Sequence, residues 1–236
     1  MPVLLRTEGR LARITLARPP LNVLDLAHLE ELAARVEEAR GATVILLEGE
    51  GNRAFSAGND VADHAPERAP AMLAAFHRAV RGLLETEAVT VAEVRGDALG
   101  GGCELVACCD LAYAFPGARF GQPEIDVGCF PPVAASILPS RIGWMRASEL
   151  ILLGRRIPAE EACAWGLVTR VDPGGAAAAA QALLAKSAAV LKLAKQAMRA
   201  GSFAAAERLY VEKLLPLPEC AEGVRAFLSK SRRPDR

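Results

Sequence analysis

The chain carries no excess of charge: 28 Lys and Arg stand against 28 Asp and Glu in 236 residues. A balanced surface gives no electrostatic basis for nucleic acid or an anionic membrane as the main partner. The six cysteines contain no CxxC pair or other zinc-ligand spacing, which excludes the common zinc modules, and no metal is expected. No apolar run approaches the roughly 20 residues of a membrane-spanning helix. The N-terminal MPVLLRTEGR lacks the basic-then-apolar order of a secretory signal. A cytoplasmic protein is therefore expected, with the adjacent Cys108 and Cys109 as buried small hydrophobes in a reducing compartment. What remains, 52% hydrophobic and 24% charged residues, is an ordinary globular composition. The length suits one domain with a small appendage.

Val3 to Leu5 and Leu11 to Leu16 read as paired strands around the turn Glu8, Gly9, Arg10. Asp25 is placed to cap a helix with Leu26, Leu29, Leu32, Ala33 and Val36 on one face and a Glu31–Arg35 pair on the other. TVILLEG (43–49) and VTVAEVRG (89–96) are buried strands that run into glycine-rich loops, with an alanine-rich helix over 69–85 between them. This alternation implies parallel pairing through crossovers, an α/β fold. Beyond Phe130 the pattern turns helical: VAASILPSRIG, WMRASELILLG, and PAEEACAWG with Pro158 at its first position. A late strand, LVTRV (167–171), precedes helices over 176–200, 203–214 and 222–230. The expected division is a core over 1–174 and a helical region over 175–236.

The segment GDALGGGCELVACCD, Gly96 to Asp110, places three glycines and a carboxylate at the start of an apolar helix. Without Cβ atoms, Gly100, Gly101 and Gly102 let another molecule approach the backbone. The first N–H groups of a helix have no intrahelical partner, so this end favours an anion or a developing oxyanion. Glu104 lies one turn in; a first-turn glutamate ordinarily complements the dipole, but this helix is apolar nearly all round, and a buried carboxylate needs a partner or a function. A second carboxylate, Glu124, follows in FGQPEIDVG after the strand-like ARFG. Two carboxylates beside an anion hole point to acid–base chemistry on a carbonyl compound. Other glycine motifs fail. Cys103 and Glu104 stand where a P-loop needs Lys and Ser or Thr, and Leu105 stands where a dinucleotide fingerprint needs glycine. FSAG around Ser56 has Ala54 in place of the first glycine of a nucleophile elbow, and His64 and His77 read as loop and helix-surface residues.

AFSAGND, GDALGGGCEL, FGQPEIDVG and GRRIPAEEACAWGLVTRV, in that order over most of the chain, resemble the crotonase (enoyl-CoA hydratase/isomerase) superfamily. The resemblance implies a spiral of ββα turns with a helical C-terminal region that trimerises, as a homotrimer or a homohexamer built as a dimer of trimers. It implies an acyl-CoA thioester as substrate, with CoA part of that substrate and no separate cofactor. By position it makes the backbone N–H groups of Asn59 and Gly101 the oxyanion hole, and Glu104 and Glu124 the catalytic glutamates. Members with both glutamates generally hydrate or dehydrate. The same resemblance assigns Ser56, Ala57 and Gly58 to the CoA adenine, Gly100 to the substrate site, and Phe227 and Lys230 to the CoA of a neighbouring subunit. Phe227 has an equal claim to plain packing, and Lys230 to a solvated tail.

After FGQPE most hydratases continue with a glycine-rich turn, whereas this chain has FPPVAAS, so Pro131, Pro132 and Val133 are expected to stiffen and fill the acyl pocket. The early loop RPPLNVLD also lacks the basic residue that many members aim at the CoA phosphate, and both features resemble the cyclohexa-1,5-diene-1-carbonyl-CoA hydratases. Alternatives are a dehydratase or isomerase of a branched or short-chain acyl-CoA, and a non-catalytic CoA- or RNA-binding homologue. Retention of both glutamates and the lack of a basic stripe speak against the last.

Overall fold

The computed structural model describes residues 3–231, with side chains to residue 229. Strand β1 (Val3–Glu8) pairs antiparallel with β2 (Leu11–Leu16), closing the expected hairpin. Helix α1 (Leu26–Glu38) follows, its first turn capped by the Asp25 carboxylate, which accepts the His28 N–H at 3.1 Å. The Glu31–Arg35 pair does not form. Arg35 takes the Glu38 carboxylate instead, at 2.7 Å, because the Glu31 carboxylate is drawn to the free N–H of Val3.

Three ββα turns come next. The first is β3 (Val44–Gly49), β4 (Ala54–Ser56) and α2 (Ala69–Glu85); the second is β5 (Val89–Val94), β6 (Asp97–Leu99) and α3 (Gly101–Cys108). The third is β7 (Leu111–Ala114), β8 (Arg119–Gly121), a 3-10 turn over Pro123–Val127, and α4 (Pro132–Ile142). The longer strand of each turn joins one sheet in the order β1-β2-β3-β5-β7, parallel from β2 onward; the shorter strands form a second sheet with β4, β6 and β8 parallel. Each turn thus adds one strand to each sheet. Since β4, β6 and β8 run parallel, with a register shift between Ala54 and Ser56, their C-terminal ends meet at one edge. The segments that leave that edge, Ala57–Asn59, Gly100–Gly101 and Gln122–Glu124, are neighbours although about 20 to 40 residues separate them in sequence.

The remainder is mostly helical: α5 (Trp144–Leu152), β9 (Arg156–Pro158) antiparallel to β8, α6 (Ala159–Trp165) and β10 (Arg170–Val171) parallel to β7. Pro158 lies just before the first residue of α6 rather than inside it, and Gly166 ends that helix in the left-handed region. Of LVTRV only Arg170 and Val171 pair; Leu167 and Val168 are buried side chains of the connection. Instead of one helix over 176–200 there are two, α7 (Gly175–Leu184) and α8 (Ala188–Arg199), bent by 112°. The bend has a local cause: Ser187 caps α8 by accepting the Val190 N–H. Helix α7 packs on the outer face of the large sheet, where Ala176 and Ala180 meet Leu46 and Val91. Helix α9 (Phe203–Leu209) runs into a π-helical turn over Tyr210–Leu214, and α10 (Pro218–Ser231) closes the described chain. Among the described residues no single helix is long and apolar enough to cross a membrane.

Candidate active site

Glu104 is 2% exposed in the first turn of α3, among Leu105, Val106 and Cys103. Its carboxylate is not left to its own helix dipole. Oε1 accepts the backbone N–H of Ala134 at 2.7 Å, in the first turn of α4, thirty residues further along the chain. A carboxylate at the N-terminus of a second helix is stabilised by that helix's free donors. Burial nevertheless dominates. It pushes the Glu104 carboxyl up to about 8, helped by the charge of Glu124, while the N–H groups of Ala134 and Val133 pull the other way.

Glu124 lies in the 3-10 turn after Pro123, and burial raises its carboxyl above the ordinary value. Its Oε2 is buried without a protein partner, so one side of this acid is left for something that enters the site. Gly100 makes room for it. At φ +51° this residue favours glycine, and a Cβ there would lie 2.5 Å from Glu124 Oε1. The N–H of Gly100 donates to Gly121 O at 2.9 Å, locking the ends of β6 and β8 together.

Gly101 opens α3, and its N–H is one of the first-turn donors with no intrahelical acceptor. Beside it, Leu24 bridges to the Asn59 segment through Gly58 O and Asp60 N–H, which turns the Asn59 N–H to the opposite side. Close approach of the segments depends on missing side chains. A Cβ on Gly58 would lie 2.8 Å from Leu99 O, and one on Gly101 would lie 2.6 Å from Asn59 Oδ1. Ser56 is fully buried, its hydroxyl donating to Asn22 O at 2.8 Å and accepting the Gly58 N–H at 3.1 Å. The Ala57 N–H is held by Leu21 O.

Asn59, Glu104 and Glu124 border one cavity of about 320 Å³, walled by Met72, Leu73 and Phe76 of α2 and by Phe130, Pro131 and Pro132. Val133 instead lines a neighbouring depression between α2 and α4, with His77 and Arg81. The cavity also holds a residue that sequence reasoning passed over as an ordinary loop position, His64. Phe227 is 72% exposed on α10, and the side chain of Lys230 lies outside the described residues.

One apolar cavity thus brings together a buried carboxyl held at a helix N-terminus, a second with an open oxygen, and Asn59, with the N-terminus of α3 beside them, an arrangement able to exchange protons with a bound molecule. The enoyl-CoA hydratase/isomerase family model matches residues 6–229. A cyclohexa-1,5-dienecarbonyl-CoA hydratase of Thauera aromatica is 35% identical over 244 aligned positions, covering 98% of this chain and 94% of that protein. An (E)-benzylidenesuccinyl-CoA hydratase of the same organism is 33% identical over 208, covering 84% and 81%. Among solved structures, an enoyl-CoA hydratase of Bacillus anthracis superposes with a TM-score of 0.90 at 28% identity, over 98% of this chain and 97% of that one.

Proposed function

The chain belongs to the enoyl-CoA hydratase/isomerase (crotonase) family, and from that premise we propose that it exchanges water with an unsaturated acyl-CoA thioester by means of Glu104, Glu124 and the N–H groups of Asn59 and Gly101. Hydro-lyase activity on acyl-CoA thioesters follows from family membership; the residues and the acyl group are the proposal. The observation that carries it is the convergence of both carboxyl groups on one cavity beside the N-terminus of α3.

In hydration, Glu104 in its ionised form takes a proton from water while the oxygen bonds to the unsaturated carbon. Negative charge then moves onto the thioester oxygen, where each pre-aimed N–H donor lowers the barrier by about 3 to 4 kcal/mol. Glu124 delivers a proton to the carbanionic carbon. Burial raises both carboxyls, which suits Glu124 to the acid role and means that the ionised Glu104 the scheme uses becomes the major form only as pH rises through about 8. The scheme uses no metal. Ser56 shapes the Ala57–Gly58 turn against which the CoA adenine rests, and Gly100 leaves space for Glu124.

The acyl group we assign is a compact conjugated ring. The cavity is closed by Phe76 and by the rigid Phe130–Pro132 segment in place of a glycine-rich turn, and a ring-diene hydratase is among the most similar proteins. The assembly we assign is a homotrimer or a dimer of trimers, supported by apolar side chains on the C-terminal helices such as Met198 and Phe203, 79% and 85% exposed. The test is loss of the enoyl-thioester absorbance, with crotonyl-CoA and cyclohexa-1,5-diene-1-carbonyl-CoA offered in parallel. Turnover of the diene alone supports the ring assignment; turnover of crotonyl-CoA alone makes the protein a straight-chain hydratase. Glu104→Gln and Glu124→Gln are each expected to lower kcat by about 10² to 10⁴-fold.

A further inference from the structure

The two-glutamate scheme leaves a proton in the wrong place. Hydration breaks one O–H bond of water, whose proton goes to Glu104, and breaks the O–H bond of Glu124, whose hydrogen forms the new C–H bond. When product leaves, Glu104 is protonated and Glu124 ionised, the reverse of the starting state. The pair is reset when a proton leaves the first carboxyl and one reaches the second before the next turnover; Glu104 is buried, Glu124 is half-buried, and both border the one cavity.

His64 borders the same cavity as both glutamates. It ends a 3-10 turn over Val61–His64 that two aspartates hold in place. Asp60 accepts the Ala62 N–H at 2.9 Å, and Asp63, 1% exposed, accepts the Leu26 N–H at 2.9 Å and pairs with Arg68. The ring is oriented too. Its Nδ1 lies 3.0 Å from Asp60 O, and a carbonyl oxygen only accepts, so Nδ1 carries the hydrogen. In the neutral ring Nε2 then carries the lone pair and is the proton acceptor. The other two histidines are placed differently: His28 bonds to Asp25 at 2.6 Å beneath α1, and His77 faces the α2–α4 depression. The groups around His64 are Glu104, Glu124 and Cys129 across the cavity and Asp60, Asp63 and Arg68 on or beside its own turn.

We propose that His64 is a positioning residue for the catalytic proton: its Nε2 accepts the proton from Glu104 through water in the cavity and passes it to Glu124, resetting the pair. The inference rests on the two-glutamate reading. Only N–H and O–H bonds change, and the ring ends each cycle neutral. The Asp60 carbonyl holds Nδ1, which leaves Nε2 as the ring nitrogen that exchanges the proton.

Two variants test this, assayed by thioester absorbance on the substrate that the unaltered protein turns over. His64→Gln retains a polar side chain but cannot carry a proton; kcat is expected to fall about 10²-fold with KM little changed, and the limb of the kcat–pH profile due to the imidazole should vanish. His64→Ala leaves a ring-sized gap, and added imidazole is expected to restore kcat several-fold. A wild-type kcat and pH profile in His64→Gln overturns the proposal. So does a loss of kcat in both variants that leaves the pH profile unchanged and that imidazole does not repair, since that pattern marks a purely structural residue. Glu104→Gln and Glu124→Gln run alongside separate the two readings. If they keep wild-type rates the glutamate scheme itself fails, whereas if they are inactive and His64→Gln is not impaired only the relay fails.

Discussion

Helix α2 buries Met72, Ala75, Phe76, Ala79, Val80 and Leu83 against the spiral, whereas from α8 to α10 the one buried residue among those described is a lysine, Lys195. Both regions are amphipathic by sequence. The spiral satisfies its apolar faces within one chain, and the C-terminal helices present Met198, Phe203, Val211 and Leu215 outward. The homotrimer or dimer of trimers proposed above would cover this exposed apolar surface. The buried charges are answered differently. Burial raises the Glu104 carboxyl and lowers the Lys195 ammonium; the first is held by the Ala134 N–H, whereas the Lys195 Nζ donates to Asp110 Oδ2 and Ala88 O, each at 2.5 Å. The spiral meets its buried charge with backbone donors, and the C-terminal region is fastened to the spiral by an ion pair.

The largest effect that sharpens this contrast is on Glu104. Its folded carboxyl, near 8, stands above the ordinary 4.5, so the folded state holds a proton that the unfolded chain releases. Stability from this group is complete below about pH 4.5 and is lost as pH rises through about 8. Glu104→Gln is therefore expected to be more stable than the unaltered protein at pH 9 by about 5 kcal/mol, with the difference vanishing near pH 4. Urea unfolding at the two pH values checks it. A difference independent of pH would show the carboxyl to be unstrained by burial.

Lys195→Met should act in the opposite sense. It removes the partner of Asp110, which still accepts the Thr90 N–H and hydroxyl, and detaches α8 from the strand edge. Because Asp110 keeps some access to water, the expected loss is about 2 to 3 kcal/mol, below that of a fully buried pair. Thermal unfolding monitored by circular dichroism reads it. The smallest change in fold stability is expected from Phe203→Glu, within about 0.5 kcal/mol for so exposed a site. Light scattering should nonetheless show a lower mass. An unchanged mass would remove Phe203 from the interface.

Long periodic segments were legible in the sequence because burial writes itself into spacing: α1, and α2 to its terminal residues, follow from apolar positions on one face. The short strands β4 and β6 were not, since three residues show no alternation; Ala54–Ser56 and Asp97–Leu99 become strands only through their neighbours in the second sheet. The break between α7 and α8 was hidden by uniform alanine composition, although Ser187 was there as a cap. At the site, Gly100, Gly101, Glu104 and Glu124 announce themselves by residue type. The Ala134 donor does not, being a backbone group thirty positions away, and His64 carries no local sign of facing a cavity.

The two sheets also spread the site along the chain. Asn59 follows the second strand of the first ββα turn, Gly101 and Glu104 belong to the second, Glu124 follows the second strand of the third, and the Ala134 N–H that grips Glu104 comes only with α4. No fragment that stops before α4 contains the complete site. The cluster of buried apolar residues likewise runs from Val3 to Val168 and takes in Val133, Ala134, Leu138 and Ile142 of α4. Closing of the interior and closing of the candidate site are thus one event, and in refolding the two should return together.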